Sequence, residues 1–174
     1  MSTIVLKFGG TSVATTDLIK SAASIVKKEY DAGNNLAVVV SAMAGTTNSL
    51  IDYVKEINTN SDSEYDVVVS SGEQVTSGLM SMALNEIGVP SRSWLGWQLP
   101  ILTSGPHRNS VIEKINPDKI VEGFKNKEVA VLAGFQGLSI NDRITTIGRG
   151  GSDNTAVFLA SALNADRCDI YTDV

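Results

Sequence analysis

The sequence predicts a doubly wound α/β fold built on a mainly parallel β-sheet. Short apolar runs alternate along the whole chain with longer segments that have helical apolar periodicity. The first apolar run, helix and second apolar run are spaced as a right-handed parallel crossover requires. Glycine- or hydroxyl-rich loops follow five of the predicted strands. Because ligands bind beyond the carboxyl ends of strands in open parallel sheets, these loops predict a binding site.

The chain opens with a strand, a helix and a second strand. The strands are the apolar runs Ile4 to Phe8 and Leu36 to Val40, whose length and glycine boundaries are typical of buried parallel strands. Thr15 or Thr16 can cap the helix between them, and the Gly-Asn-Asn sequence at 33–35 ends it. The face of this helix that is predicted to be buried consists of Leu18, Ala22, Ile25 and Val26.

The middle of the chain predicts two helices and three strands. A helix from about Ser49 to Ile57 leads into a polar loop, Asn58 to Ser63, and the three valines between Asp66 and Ser70 predict a strand. A longer helix follows the Ser71-Gly72-Glu73 sequence and ends at Gly88 and Pro90. Its predicted apolar side consists of Val75, Leu79, Met82, Ala83 and Ile87. The two short strands Ser91 to Trp94 and Ser110 to Lys114 are predicted to flank a loop, Gly96 to Asn109.

The last third of the chain returns to simple alternation. The predicted elements are a helix from Pro117 to about Lys125, strands Val129 to Ala133 and Ile144 to Ile147, a helix through Ala156 and Leu163, and a final strand Asp169 to Thr172. The chain stops just after that strand, at Val174. A domain rarely ends there, because strand ends and sheet edges are normally covered, so we expect the chain to be truncated.

Composition excludes several classes of protein. The 174 residues carry a formal net charge of −5 and no Lys/Arg run, which argues against nucleic-acid binding. No apolar run approaches the length of a membrane span, and the first residues lack the order of a secretory signal. The single cysteine, Cys168, suits a reducing compartment, so we expect a soluble cytoplasmic protein. Neither a Walker-type G-x-x-x-x-G-K-[ST] motif nor a G-x-G-x-x-G after the first strand is present, which disfavours both common nucleotide-binding classes.

The end of the first strand has the composition of a phosphate cradle. Lys7 is a cation near the carboxyl end of a buried strand, where it is costly unless an anion faces it. Gly9 and Gly10 next to it allow backbone N–H groups to converge on a phosphate. A strand that ends in a tight turn beside a lysine reaching for solvent would leave the same sequence, so the residues alone keep both interpretations open.

A second glycine loop, Gly148-Arg149-Gly150-Gly151-Ser152-Asp153, opens a predicted helix. Free N–H groups at a helix start favour an anion, and Arg149 adds a fork suited to carboxylate or phosphate. The structural alternative makes Ser152 an N-cap with Asp153 just inside the helix. Glu73 taken alone is ordinary acidic capping at a helix start. His107 is predicted to be a surface residue, and Trp94 and Trp97 to serve packing or an oligomer contact.

Taken together, these loops resemble the aspartate kinases of the amino-acid kinase family. The resemblance spans the chain in order, and the combination of motifs is specific to that group. The segments that carry it are Lys7-Phe8-Gly9-Gly10-Thr11-Ser12, Val40-Ser41-Ala42-Met43 with Thr46-Thr47, Ser71-Gly72-Glu73, Gly134-Phe135-Gln136-Gly137, Thr146 to Asp153, and Asp169-Ile170-Tyr171-Thr172-Asp173-Val174.

The resemblance implies a three-layer αβα sandwich and ATP-dependent phosphorylation of the L-aspartate β-carboxylate. That reaction is the first step towards lysine, threonine and methionine, with Mg²⁺ carried in by ATP and no nucleic-acid or membrane partner. A homodimer is implied, and so is helical structure before the Ser-Gly-Glu motif, in place of the Asp66 to Ser70 strand.

The resemblance also implies a role for each matching residue. Lys7 would neutralise charge on the transferring phosphoryl group, with N–H bonds from Gly9 and Gly10, and Asp153 would orient Lys7. The amino acid would bind Glu73 through its ammonium and Arg149 through its carboxylate. The remaining implied contacts are Ser41 near the phosphates, Thr47 and the Gly150-Gly151-Ser152 run at the amino acid, and Tyr171, Thr172 and Asp173 at the start of a nucleotide-binding segment.

The resemblance stops where the family's kinase domain continues and where ACT regulatory domains usually follow. We therefore expect residues 1–174 to be the N-terminal portion of the catalytic domain, without feedback regulation of its own. Two alternatives stay open: a non-catalytic amino-acid-binding fragment, and a sister kinase acting on glutamate, N-acetylglutamate or UMP. Glu73 disfavours UMP, which has no ammonium for it to bind.

Overall fold

Strands and helices alternate along most of the chain in the computed structural model, which describes residues 1–57 and 60–173. Asn58 and Thr59 of the predicted polar loop, and Val174, lie outside the described residues. The strands are β1 (Thr3–Phe8), β2 (Asn35–Val40), β3 (Ser91–Trp94), β4 (Ile101–Ser104), β5 (Val111–Ile115), β6 (Val129–Ala133), β7 (Gln136–Leu138), β8 (Ile144–Thr146) and β9 (Arg167–Tyr171). The helices are α1 (Thr16–Asp31), α2 (Thr46–Ile57), α3 (Asp62–Val69), α4 (Ser71–Glu86), α5 (Asp118–Lys125) and α6 (Gly151–Ala162).

A parallel sheet forms the centre of the molecule. Its order is β3-β6-β2-β1-β9, and every neighbouring pair is parallel. Strands β1, β2 and β6 are buried on both faces, which explains why they read as continuous apolar runs rather than as alternating ones. The predicted mainly parallel sheet is therefore confirmed.

Helices cover both faces of this sheet. Residues of α1 and α4 pack on one face, against side chains such as Leu6 and Val38. Residues of α5 and α6 pack on the other face, against side chains such as Val39 and Leu132. The resulting layers are helix, sheet and helix, so the three-layer αβα sandwich is confirmed. Among the described helices, none has the length and apolarity needed to cross a bilayer.

A second, smaller sheet lies beside the sandwich and was not predicted. Its order is β5-β4-β7-β8, and the loop predicted at 96–109 contains its strand β4. Within β4, Ile101 and Thr103 are buried while Leu102 and Ser104 are exposed. Only four residues alternate in this way, between a proline and a glycine, so the period-two signal was too short to see.

The segment Asp66 to Ser70 is not a strand, so that prediction is wrong. Asp66 to Val69 form the second half of α3 and Ser70 is its C-cap, so the expectation of helix from the family resemblance is confirmed. Three consecutive valines favour a strand locally, but here tertiary contacts determine that the segment is a helix. Asp66 is fully buried in α3 and accepts hydrogen bonds from residues far along the chain.

Two helices bury faces that differ from the predicted ones. In α1, Ala22 and Val26 are buried as predicted, but Ile19 and Ala23 replace Leu18 and Ile25, which are exposed. In α4 the error is larger, because Val75 and Met82 point outward. The buried residues of α4 are Gly72, Glu73, Thr76, Ser77, Met80, Ser81 and Leu84. Thr76 and Ser77 donate their hydroxyls to carbonyls of their own helix, so they can be buried without losing hydrogen bonds.

Gly137 in β7 should not tolerate a side chain. A Cβ there would collide with Thr103 Cγ2 and lie 3.0 Å from the Ile101 carbonyl oxygen, on the neighbouring strand. We expect Gly137→Ala to lower the free energy of unfolding by about 2 kcal/mol, measured by chemical denaturation. Gly78→Ala is the matched control, because a Cβ at Gly78 in α4 meets nothing within 4 Å. Equal denaturation midpoints for the two variants would contradict this packing.

Candidate active site

A cleft of about 340 Å³ opens beyond the carboxyl ends of β1, β2 and β6. Four of the five loops singled out in the sequence contribute to its lining, and the loop at 171–173 does not. Three of the four follow strands of the main sheet, whereas the Gly148 to Ser152 loop follows β8 of the small sheet. The lining residues are Lys7, Gly10, Ser41, Ala42, Met43, Ala44, Gly45, Thr47, Glu73, Phe135, Gly150, Gly151, Ser152 and Asp153.

Lys7 places a cation inside this cleft. It lies in β1 between β2 and β9 and is only 7% exposed. Its Nζ is 2.7 Å from Asp153 Oδ1 at the start of α6. A lysine that merely reached for solvent would leave its ammonium outside, whereas this ammonium faces the cleft and a carboxylate. A buried cation requires such a partner, and because Lys7 also lines the cleft, a second anion bound there can reach its ammonium.

The two glycines after β1 behave differently from each other. Gly9 donates its N–H to the Tyr171 carbonyl at 3.0 Å, because the β1–β9 ladder extends by one residue. That donor is engaged within the sheet, and a phosphate contact from the Gly9 N–H stays a prediction. Gly10 lines the cleft, and a Cβ on it would lie 3.0 Å from the Ala42 carbonyl oxygen. Gly10 therefore brings two loops into close contact.

Helix α6 presents its amino-terminal end to the cleft. Gly150 precedes it with φ of 69°, a left-handed conformation that favours glycine. No side chain caps the helix, so the alternative in which Ser152 is the N-cap is wrong. The first N–H groups of a helix and its dipole attract anions. A Cβ on Gly151 would lie 2.7 Å from Phe135 Cδ1, so this close approach of backbone to ring also requires glycine.

Glu73 is a buried carboxylate on the wall of the cleft. It is 3% exposed, and its Oε1 accepts the Ala42 N–H at 3.2 Å. Within the described residues, Oε2 has no hydrogen-bond partner. Burial raises the pKa of Glu73 from 4.5 to about 7, while backbone hydrogen bonds at Glu73 and Ala42 act in the opposite direction. A carboxylate that only capped α4 would not need burial with one oxygen unsatisfied, so this geometry favours a cationic ligand.

The raised pKa of Glu73 should make stability depend on pH. Since the folded protein holds this proton more tightly than the unfolded chain, the free energy of unfolding falls as pH rises through the window from 4.5 to about 7. The loss amounts to about 3 kcal/mol relative to Glu73→Gln, which has no proton to lose. Denaturation at pH 4 and pH 8 measures it, because both pKa values lie between these limits. Glu86→Gln, an exposed change on the same helix, should retain the wild-type slope, and a wild-type slope in Glu73→Gln would contradict the assignment.

Of the other predicted site residues, some line the cleft and one lines a neighbouring cavity. Ser41 and Thr47 line the cleft as predicted. Arg149 is exposed and lines a neighbouring cavity with Asn109 and Phe158, so its side chain is not among those that line the cleft. Its backbone nevertheless adjoins Gly150, and its carbonyl accepts a hydrogen bond from Asn154 Nδ2 at 3.2 Å.

The end of β9 adjoins the cleft without lining it. The Tyr171 ring stacks on Phe8 with 4.8 Å between ring centroids. Thr172 and Asp173 are exposed. These residues therefore close one side of the β1 loop, through the Tyr171 carbonyl that binds Gly9.

Sequence reasoning missed a buried polar cluster behind the cleft. Asp66 contacts His107, whose Nδ1 lies 2.6 Å from its Oδ2, so the prediction of His107 as a simple surface residue is wrong. Gln136 is buried as well, with its amide nitrogen donating to the Ser70 carbonyl at 3.0 Å. The sequence did hold one indication of this cluster, because Asp66 directly precedes three valines and a charged residue beside an apolar run can be buried. Its partners lie so far away in the chain that no local pattern indicates them.

Comparisons with known proteins agree with this geometry. The family model described as "Amino acid kinase family" matches residues 2–174. An aspartokinase of Rickettsia conorii is 48% identical and an aspartate kinase of Pseudomonas fluorescens is 52% identical, each over 100% of this chain. The chain spans 44% and 43% of the lengths of these two proteins.

Solved structures show the same fold. Aspartate kinase from Synechocystis superposes with a TM-score of 0.81 at 41% identity, over 98% of this chain and 28% of that chain. Aspartokinase III of E. coli, in complex with aspartate and ADP (R-state), superposes with a TM-score of 0.84 at 28% identity, over 98% of this chain and 49% of that chain.

Proposed function

Because this chain belongs to the amino acid kinase family, we propose that it provides the amino-acid-binding and phosphoryl-stabilising part of an aspartate kinase. The reaction is ATP-dependent phosphorylation of the L-aspartate β-carboxylate. The observation that carries the proposal is the pairing of two opposite groups in one cleft: the Lys7 ammonium and the buried, half-satisfied Glu73 carboxylate. The first suits a phosphoryl group and the second suits an α-ammonium. Aspartate and ADP are the ligands named for the related E. coli aspartokinase III.

Phosphoryl transfer depends chiefly on positioning and on stabilising charge, and the cleft supplies both. Lys7 would neutralise charge on the transferring group, and Asp153 would hold its ammonium in place. The start of α6, from Gly151 to Asp153, adds a positive helix end on the same side. These groups fit the phosphate end of ATP, which supplies the phosphoryl group and carries Mg²⁺. No residue has to act as a general base, because the attacking carboxylate is already ionised at neutral pH.

The amino acid would be recognised at its two charged groups. Glu73 would bind the ammonium, which would satisfy the free Oε2, and Ser41 and Thr47 lie close enough in the lining to contact the same ligand. Arg149 would bind the α-carboxylate after its exposed side chain turns towards the cleft. The backbone of Gly150 and Gly151 and the Ser152 side chain would complete that end of the site.

We also propose where the nucleotide binds, in which compartment the protein works and how it assembles. Tyr171, Thr172 and Asp173 would begin the segment that binds ATP, at the edge of the cleft where β9 meets Gly9. We propose a cytoplasmic homodimer without nucleic-acid or membrane partners. The single cysteine supports the cytoplasmic compartment, and the acidic net charge of −5 supports the absence of a nucleic-acid partner.

Hydroxylamine trapping of an acyl phosphate tests the proposal. The complete gene product and residues 1–174 would each be incubated with Mg-ATP and either L-aspartate or L-glutamate. We expect aspartate-dependent hydroxamate from the complete product. Formation with glutamate alone would favour a sister kinase, and no hydroxamate with either substrate from folded protein would overturn the proposal. Aspartate binding by residues 1–174 without ATP consumption would identify the chain by itself as a binding module.

A further inference from the structure

Asp66 ties helix α3 to the end of strand β8 in the small sheet. It is fully buried in α3 and accepts hydrogen bonds from the Thr146 N–H at 3.1 Å and the Thr146 hydroxyl at 2.7 Å. The Arg108 N–H and the His107 ring contact the same carboxylate, at 3.2 Å and 2.6 Å. This buried carboxylate is fully satisfied, and breaking its hydrogen bonds would leave a charge unpaired, so the contact fixes α3 against the end of β8.

The two elements joined by Asp66 lead directly into the proposed substrate contacts. Helix α4, which carries Glu73 in its first turn, follows α3 immediately. Thr146 is the last residue of β8, and the 147–150 segment that follows carries Arg149 to the start of α6. The relative position of Glu73 and Arg149 is therefore set partly by the Asp66–Thr146 contact.

Neighbouring contacts cross the same junction. Gln136, which pairs with Thr146 across β7 and β8, donates its amide N–H to the Ser70 carbonyl between α3 and α4. The ion pairs of Arg108 with Asp62 and of Arg143 with Glu64 are exposed, so they add little. Asp66, in contrast, is fully buried, so its hydrogen bonds across the junction are protected from water.

We propose that Asp66 is a positioning residue for the amino acid, holding the 147–150 segment so that Arg149 and Glu73 are spaced for an α-carboxylate and an α-ammonium on one carbon. The inference rests on the proposed function. Asp66 lines no part of the cleft, so its effect passes through Thr146. The alternative is that the cluster only stabilises the fold, in which case all substrates would be affected alike.

Thr146→Val in the complete gene product tests the role, because valine keeps the shape and removes only the hydroxyl donor. We expect the KM for L-aspartate to rise about tenfold, with the KM for ATP unchanged within twofold. β-Alanine, which is aspartate without its α-carboxylate, should inhibit the wild type and the variant equally. Thr146→Ser, which retains the hydroxyl, should restore the wild-type KM.

Glu64→Gln is the matched control. It removes an exposed charge, the partner of Arg143, from the helix that carries Asp66 and leaves the Asp66 carboxylate untouched, so the aspartate KM should stay within twofold of wild type. If Thr146→Val does not fold, Asp66→Asn tests the same positioning role, because an amide has one oxygen and cannot accept hydrogen bonds at both carboxylate positions from the Thr146 N–H and hydroxyl. An unchanged aspartate KM, or equal increases for aspartate and ATP, would overturn the positioning role alone. A folded wild type without aspartate-dependent turnover would overturn the proposed function and this inference with it.

Discussion

Replacing Lys7 with alanine should lower kcat for aspartate-dependent hydroxamate formation about 10³-fold. The side chain is a preorganised cation, only 7% exposed, on the wall of the cleft, and one such group contributes about 10²- to 10³-fold. The KM for L-aspartate should change little, because Lys7 faces the transferring group and not the ammonium. Steady-state kinetics at saturating Mg-ATP measure both quantities.

Two variants control for the Lys7 experiment. Lys7→Arg keeps the charge but changes its position, so we expect it to recover only part of the lost rate. Lys27→Ala removes an exposed lysine that pairs with Asp31 on α1 at 3.1 Å, and its kcat should match wild type. A Lys7→Ala enzyme within tenfold of the wild-type kcat would exclude Lys7 from the chemical step.

Glu73→Gln should raise the KM for L-aspartate at least about 100-fold at pH 8. An ammonium bound beside a neutral amide in a buried site loses its counter-charge, which is a large cost. The KM for ATP should be unaffected, and so should both constants in Glu86→Gln. Equal aspartate KM values for Glu73→Gln and wild type would show that the ammonium binds elsewhere.

The wild-type enzyme should also show the titration of Glu73 in its aspartate KM. Only the ionised carboxylate attracts an ammonium, and the pKa of Glu73 is raised to about 7. The aspartate KM should therefore rise as pH falls below 7, approaching tenfold per pH unit, and it should level off above pH 8. Glu73→Gln should lose this dependence.

Much of the fold could be predicted because its signals are local. Strands such as Leu36 to Val40 and Val129 to Ala133 are continuous apolar runs between turn residues, and both are strands in the structure. The glycine loops that follow them could be placed at one edge of the sheet from topology alone. This reasoning brought Lys7 and Asp153 into one site, where they form an ion pair.

The errors occurred where distant contacts override local preference. The valines of α3 would favour a strand, but the bonds from Asp66 to Thr146 hold that segment as a helix against the small sheet. The buried face of α4 consists largely of serine, threonine and glycine, so counting apolar residues selected the wrong side. Arg149 is a different case: its role at the α-carboxylate stays a prediction, and no sequence pattern could show that its side chain lines the neighbouring cavity in this structure.

The pairing of Lys7 with Asp153 also has a consequence for biosynthesis. The cation belongs to β1, and its counter-charge belongs to α6, more than 140 residues later in the sequence. Until α6 has left the ribosome, a chain that packed β1 into the sheet would bury an uncompensated ammonium, which is unfavourable. Productive docking of β1 should therefore wait until α6 has been made, and nascent chains that end before α6 should be ready substrates for chaperones.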